Sequence, residues 1–337
     1  MNYLSSTASD RTCINTILPL ADVASLIAGG AVLCIAGREE ALRQLPPGFW
    51  IGGTTPYVMT ENGGAKLDRE HLFVTDLSGL GEVKVAAYGA DELERITANT
   101  PDDGFALTII PAQSHCHERF AHDAPNYPNA FVKPVFGWIA GHDLDEPGTC
   151  ARVFAGTGAR ALADRAVVLH LSLADGQLPF LELVNLFEPD NVDVLRFHQT
   201  TFAPATASIR SREIDFAAYV RDRGLDHGQL PLVGDYAGAH INASIQSVES
   251  DRVRLYAPVF PGVDYCFAKP VGDYAEAFGP LLEKVSTQGT AFSCNCILNY
   301  VHGKLEGKAI GGFGGPITFG EIAYQLHNQT LIEVRLI

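Results

Sequence analysis

Two glycine-broken aromatic runs, FWIGGTT at 49–55 and FGWIAGHD at 136–143, constrain this chain more than any other feature. Each combines Phe, Trp, Ile and Gly in a strand-like stretch, and each stands at a similar place in a cycle of elements, which is the mark of an internal repeat. In the first cycle Leu20, Val23, Ala24 and Ile27 recur at helical spacing, so the spacing predicts a helix over 20–28 ended by Gly29-Gly30. A strand over 31–37, a short helix over 38–45 stopped by Pro46-Pro47, and a strand over 49–59 follow. The runs at 71–77 and 82–89 alternate as antiparallel strands do. The second cycle reads as a strand over 104–112, a helix over 113–122 and strands over 131–144 and 165–173.

From residue 204 the pattern changes to a helix over 214–223, a meander of strands over 231–262 and a helix over 273–286. A strand over 290–298, a helix over 299–306 and a glycine-rich run come last. Strands outnumber helices and do not alternate strictly with them, which favours a mixed α/β (α+β) layer fold over a doubly wound parallel sheet. The expected organisation is two related layered halves with mixed and antiparallel sheets, a ligand cleft between them, and a boundary that gives regions 1–203 and 204–337.

Charge narrows the function classes. The chain carries 24 Lys and Arg against 39 Asp and Glu, a net charge of −15, and has no basic cluster. Binding to a nucleic-acid backbone or an anionic membrane surface needs such a cluster, so neither partner is expected. The apolar stretch from Ile17 to Ala36 is interrupted by Asp22 and Gly29-Gly30 and divides into a helix and a strand. The first thirteen residues are polar, with no apolar leader core, and the seven cysteines are scattered and odd in number. A cytoplasmic protein with reduced thiols is expected.

Four constellations carry possible chemistry. Glycines 311, 312, 314, 315 and 320 describe a backbone that turns tightly or admits a close approach. They match neither a phosphate loop nor a dinucleotide fingerprint. Glu321 shares a strand face with Phe319 and Ala323, an apolar setting in which a carboxylate has a partner or a raised pKa. With His327 and Asn328 it either satisfies a turn or faces a polar ligand. Cys294 and Cys296 fall on one strand face without zinc-site spacing, and either packs as a small apolar residue or, given a base, acts as a nucleophile. His115, His117 and His122, with Cys116 and Glu118, match no metal motif, although a lone histidine suffices as a haem axial ligand. There is no nucleophile elbow and no kinase or β-lactamase set, so hydrolase chemistry gains no support.

A strand ending in Ser293-Cys294, a helix, a glycine-rich turn, Gly320-Glu321-Ile322 and then His327-Asn328-Gln329-Thr330 before an apolar last strand together resemble the C-terminal part of the FIST family. AVLCIAG and FWIGGTTPYVM are similar to its N-terminal region more loosely. The resemblance implies an intracellular sensory protein for a small molecule such as an amino acid, acting on a signalling partner in trans. It also implies that Glu321, His327 and Asn328 hold motif positions, and that haem is a possible cofactor. The candidate ligand-binding set is Gly52, Gly53, Thr54, Cys294, Asn299, Thr318, Glu321, His327 and Asn328. His115, His117 and His122 are the haem-ligand candidates for an alternative gas sensor or haem-dependent enzyme, and Cys294 or Cys296 serves a second alternative, a cysteine-dependent enzyme.

Overall fold

In a computed structural model of the chain the described residues are 14–158, 161–174, 176–284 and 290–337. The polar N-terminal run with Cys13, and the last residues of the helix expected over 273–286, lie outside them. Within the described residues the fold is mixed α+β, with four six-stranded sheets, one two-stranded sheet and no closed barrel.

The repeat foreseen at the two aromatic runs is present, and it continues to a third copy. The first unit is β1 (Ile14–Pro19), α1 (Leu20–Ala28), β2 (Val32–Gly37), α2 (Glu39–Leu42), β3 (Phe49–Thr54), the hairpin β4 (Tyr57–Thr60) and β5 (Gly63–Lys66), and β6 (His71–Asp76). The second is β7 (Gly81–Tyr88), α3 (Glu94–Asn99), β8 (Gly104–Pro111), α4 (His115–Asp123), β9 (Val135–Ala140), the hairpin β10 (Val153–Ala155) and β11 (Ala161–Leu162), and β12 (Ala166–Leu173). The third begins at β13 (Pro179–Asn185) and is then interrupted by an insertion. The insertion holds β14 (Leu195–Arg196), β15 (Thr206–Ile209), β16 (Arg212–Asp215), α5 (Phe216–Asp222), β17 (Leu232–Tyr236), β18 (Ala239–Ala243), β19 (Ile245–Val248), β20 (Val253–Leu255), β21 (Asp264–Phe267) and α6 (Tyr274–Leu282). The third unit resumes with β22 (Thr290–Cys296), α7 (Ile297–Gly303), β23 (Gly315–Thr318), the hairpin β24 (Glu321–Ala323) and β25 (Gln325–His327), and β26 (Thr330–Leu336).

One pairing rule serves all three units. The first strand lies antiparallel to the last, the last antiparallel to the second, and the second parallel to the third: β1-β6-β2-β3, β7-β12-β8-β9 and β13-β26-β22-β23. Each hairpin then leaves its own unit. The β4–β5 hairpin extends the third sheet beside β23, β10–β11 extends the first beside β3, and β24–β25 extends the second beside β9. The run 49–59, expected as one strand, therefore breaks at Thr55-Pro56 into β3 and β4, which belong to different sheets.

These sheets share one core. Alternate residues turn inward to it: Val32, Cys34 and Ala36 from β2, Phe105, Leu107 and Ile109 from β8, Phe292 and Cys294 from β22. The intervening residues turn outward. Leu33 and Ile35 meet Val23 and Ile27 of α1, while Ala106 and Ile110 meet Phe120 of α4. Burial on both faces is why these strands read as continuous apolar runs, and each buried Leu, Ile or Phe contributes roughly 1.5–3 kcal/mol. The insertion adds a fourth sheet over the second unit, where Phe197, Phe216 and Tyr265 join the cluster of Phe120 and Ile139. The boundary expected at residue 203 falls inside this insertion, between β14 and β15. Because β13 before it is the sheet partner of β26 after it, the chain does not divide into two packing units there.

Candidate functional site

The predicted residues around Glu321 come together, in a sealed place. Glu321 pairs in register with Trp138 of β9 and His327 of β25, and its side chain enters the central core with no exposure. Thr318 donates to Oε1 at 3.1 Å, and Thr330 donates to Oε2 through its amide at 3.3 Å and its hydroxyl at 2.8 Å. Burial pushes the carboxyl up to about 8, against the pull of the donors on Thr330, Thr318 and Cys296, so the group is protonated at neutral pH. Cys294 and Cys296 are buried as well; desolvation, then the neighbouring Glu321, pushes both thiols well above their usual range. Neither is a thiolate, and among the described residues no basic group acts on either, as a cysteine nucleophile needs.

Asn299 donates to Asn295 Oδ1 at 2.9 Å, and Asn328 donates to the His327 carbonyl at 3.0 Å. His327 donates through Nε2 to the Ala323 carbonyl at 3.1 Å, and burial holds its pKa down to about 4. The cluster ties β24 to β22, β23 and β26 and works as a polar fastening inside the core.

The expected glycine-lined cleft does not form. A Cβ on Gly53 would lie 2.7 Å from Ile109 and Trp138, and one on Gly52 would lie 3.1 Å from the Ile35 carbonyl and the Trp50 ring. At Gly141 it would lie 1.8 Å from the Phe319 ring. These glycines are closed by protein packing, which leaves no ligand space at their Cα atoms. Gly312 and Gly314 line a separate cavity of 560 Å³ with Ser293 and Glu333.

Thr54 leads to a different cleft, between the first and second units. The ends of β2 and β3 and the exit of β9 surround about 160 Å³ lined by Arg38, Arg43, Thr54, His142, Asp143, Glu146 and neighbours. Crevices beyond the carboxyl ends of parallel strands are where open α/β sheets bind ligands. Thr54 donates to the Gly141 carbonyl at 2.6 Å and accepts from the Arg152 amide at 2.9 Å, which fixes the crossing of β3 and β9. Arg38 donates to Asp143 at 2.7 Å, Glu146 at 3.0 Å and the Leu67 carbonyl at 2.9 Å. Lys66 reaches Asp143 at 2.9 Å and Asp145 at 2.6 Å, and Tyr57 donates to Asp143 at 3.1 Å.

Burial works to raise the Asp143 carboxyl, but Lys66, the Asp145 amide and Arg38 outweigh it and hold the group well below the usual carboxylate range. Beyond this locked network stand Arg43, held by Glu39, and Glu40, so both signs of charge border the cavity. His142 is kept neutral by burial and lies against Phe319, with ring centroids 5.0 Å apart. At the matching place after β23 the rings of Tyr57 and Tyr300, 5.5 Å apart, fill the space.

The three histidines of α4 do not converge. His115 is exposed, and His122 is exposed and paired with Asp123 at 2.7 Å. His117 turns inward and lines a cavity of about 160 Å³. Among the described residues no three His, Cys, Asp or Glu side chains are placed to hold a metal ion. The volume beside His117 is smaller than the roughly 300–1,000 Å³ that enclose a drug-sized ligand. The sequence reading missed Arg38, Lys66, Asp143 and Glu146. A signal was present: Arg38-Glu39-Glu40 directly follows the strand of 31–37, and GHDLDE directly follows FGWIA, so charge is concentrated where the buried strands emerge.

Residues 18–337 match the family described as Family of unknown function (DUF6976), and the chain belongs to that family. No curated protein matches the sequence.

Proposed function

We propose that this protein binds a small zwitterionic molecule, of amino-acid size, in the cleft between its first and second units. One observation carries the reading: cationic Arg38 and Arg43 and the carboxylates Glu39, Glu40 and Glu146 converge on one cavity of about 160 Å³ at the carboxyl ends of β2 and β3. Arg43 is the group available to a ligand carboxylate, because its guanidinium is half exposed and its partner Glu39 is one turn away on the same helix. Glu40 and Glu146, which line the same cavity, suit an ammonium group. This is the ligand class that the FIST resemblance implies, and a cytoplasmic sensory role acting on a partner in trans belongs to the same proposal. The cysteines support that compartment: six of them are unpaired among the described residues.

A thermal-shift screen with the standard amino acids tests the reading. At a hundredfold excess over Kd, a ligand stabilises by about 2.7 kcal/mol, which raises the midpoint by several degrees. Arg43→Ala is expected to weaken that ligand about tenfold while leaving the unliganded midpoint nearly unchanged, since exposed ion pairs contribute about 0–1 kcal/mol. A screen with no stabilising amino acid, or a shift identical in Arg43→Ala, would overturn it.

A further inference from the structure

The cavity that Gly312 and Gly314 border lies between the start of β1, the end of β4 and the first residues of β22. Its 560 Å³ falls within the roughly 300–1,000 Å³ of small-molecule sites. Strand alternation sets its floor. Phe292 and Cys294 of β22 and Ile332 and Val334 of β26 turn into the central core, so the cross-strand partners Ser293 and Glu333 turn to the opposite face. Both are buried, Glu333 to 3% exposure, and both line the cavity with Met59 and Phe313. Glu61, Asn62 and Gly312 are exposed and form its rim.

Hydrogen bonding at the floor leaves acceptors facing inward. Thr290 donates its hydroxyl to Glu333 Oε1, Ser293 donates to the Gly314 carbonyl at 2.6 Å, and Thr60 donates to the Gly63 carbonyl at 2.9 Å. Each hydroxyl proton is thereby used, and what these groups offer a ligand is lone pairs. Glu333 Oε2 accepts from no donor among the described residues, and it is not closed off as the unpartnered atoms of the core are. Burial raises the Glu333 carboxyl against the pull of Thr290 and Arg335. Arg335 is engaged elsewhere: its guanidinium reaches Glu182 at 3.2 Å and lies over the Phe180 ring, 4.9 Å from the centroid. Among the described residues no Lys, Arg or His lines the cavity. A buried carboxylate that opens onto such a cavity is costly to ionise alone, and a cationic ligand offsets that cost.

We infer that this cavity is a second ligand site, which takes a small organic amine, its ammonium group donating to Glu333 at the floor and its apolar body lying along Phe73 and Phe313. The site is independent of the zwitterion cleft and differs from it in chemistry, since it offers no cation to a carboxylate.

Isothermal titration calorimetry of the full chain with phenethylamine, and with its neutral and anionic counterparts phenethyl alcohol and hydrocinnamate, tests this. Phenethylamine is expected to bind saturably, and the other two more weakly by about tenfold or more. Glu333→Gln keeps the shape and the bond from Thr290 but removes the charge, and is expected to weaken the amine by about tenfold or more. Should that variant not fold, Glu61→Lys, which places a cation on the exposed rim, is expected to weaken the amine about threefold. Glu40→Gln, in the zwitterion cleft, is expected to leave amine binding unchanged, so failure of one site is distinguishable from failure of the other. Phenethyl alcohol or hydrocinnamate binding as tightly as the amine would overturn the inference. So would an amine affinity unmoved by Glu333→Gln, or no binding of the amine at all.

Discussion

Glu321 holds its proton because the central core penalises the anion more than its donors reward it. The carboxyl has a pKa near 4.5 when free and about 8 in the folded chain. Between those values the folded state binds a proton that the unfolded state has released, so this contribution to stability is fully present below pH 4.5 and is lost as pH rises through 8. The slope is about 1.4 kcal/mol per pH unit. His117, His170 and His327 act in the opposite sense. Burial lowers each from 6.5 to about 4, so their contribution is present above 6.5 and is lost as pH falls through 4. Stability is therefore expected to peak near pH 6.5 and to decline toward 8. In Glu321→Gln the decline should vanish; parallel slopes for the two proteins in urea unfolding between pH 6.5 and 8.5 would show that Glu321 is not its source. This setting was legible in the sequence, since alternation alone puts Glu321 on the face of Phe319 and Ala323. Its donors were not, because Thr330 arrives from β26 by a pairing that no local pattern encodes.

At the scale of elements, the strands and helices of the first two cycles were legible because both faces of each strand are buried and its apolar run is unbroken. Their pairing was not. Parallel β2–β3 and antiparallel β3–β10 carry the same kind of residue, and the third copy was hidden because the insertion separates β13 from β22 by about a hundred residues. The glycines were read as room for a ligand, whereas their local reason is strand contact. Gly137 on β9 shows this most sharply: its φ is 147° and a Cβ there would lie 1.9 Å from the Thr108 carbonyl of the parallel neighbour β8. Backbone cannot yield as a side chain tip can, so Gly137→Ala is expected to cost about 3 kcal/mol or more, at the upper end of overpacking. Gly148, at φ 88° with nothing within 4 Å, isolates the conformational part, and Gly148→Ala should cost only about 1 kcal/mol. Urea midpoints for the two variants check the contrast, and equal losses would mean that strand contact does not decide these positions.

Across the whole molecule, the exchange of hairpins makes each unit's sheet incomplete without a neighbour. The third sheet needs β4 from the first unit, the first needs β10 from the second, and the second needs β24 from the third. The circuit is closed, so no unit can open alone without stripping a strand from another sheet, and unfolding is expected to be a single cooperative transition despite the chain's length. Val58 tests the coupling because it belongs to the first unit by sequence and to the third sheet by pairing with Pro316. It is fully buried in the core common to all three units. Val58→Ala removes buried methyl groups and is expected to cost about 2 kcal/mol. Native-state hydrogen exchange should then show that loss equally in β2 and β3 of the first unit and in β22 and β26 of the third, since both sets open through the same global event. A loss confined to β4 and β5, or two resolved unfolding transitions, would mean that the units fold separately and that the closed circuit of strands carries no cooperativity.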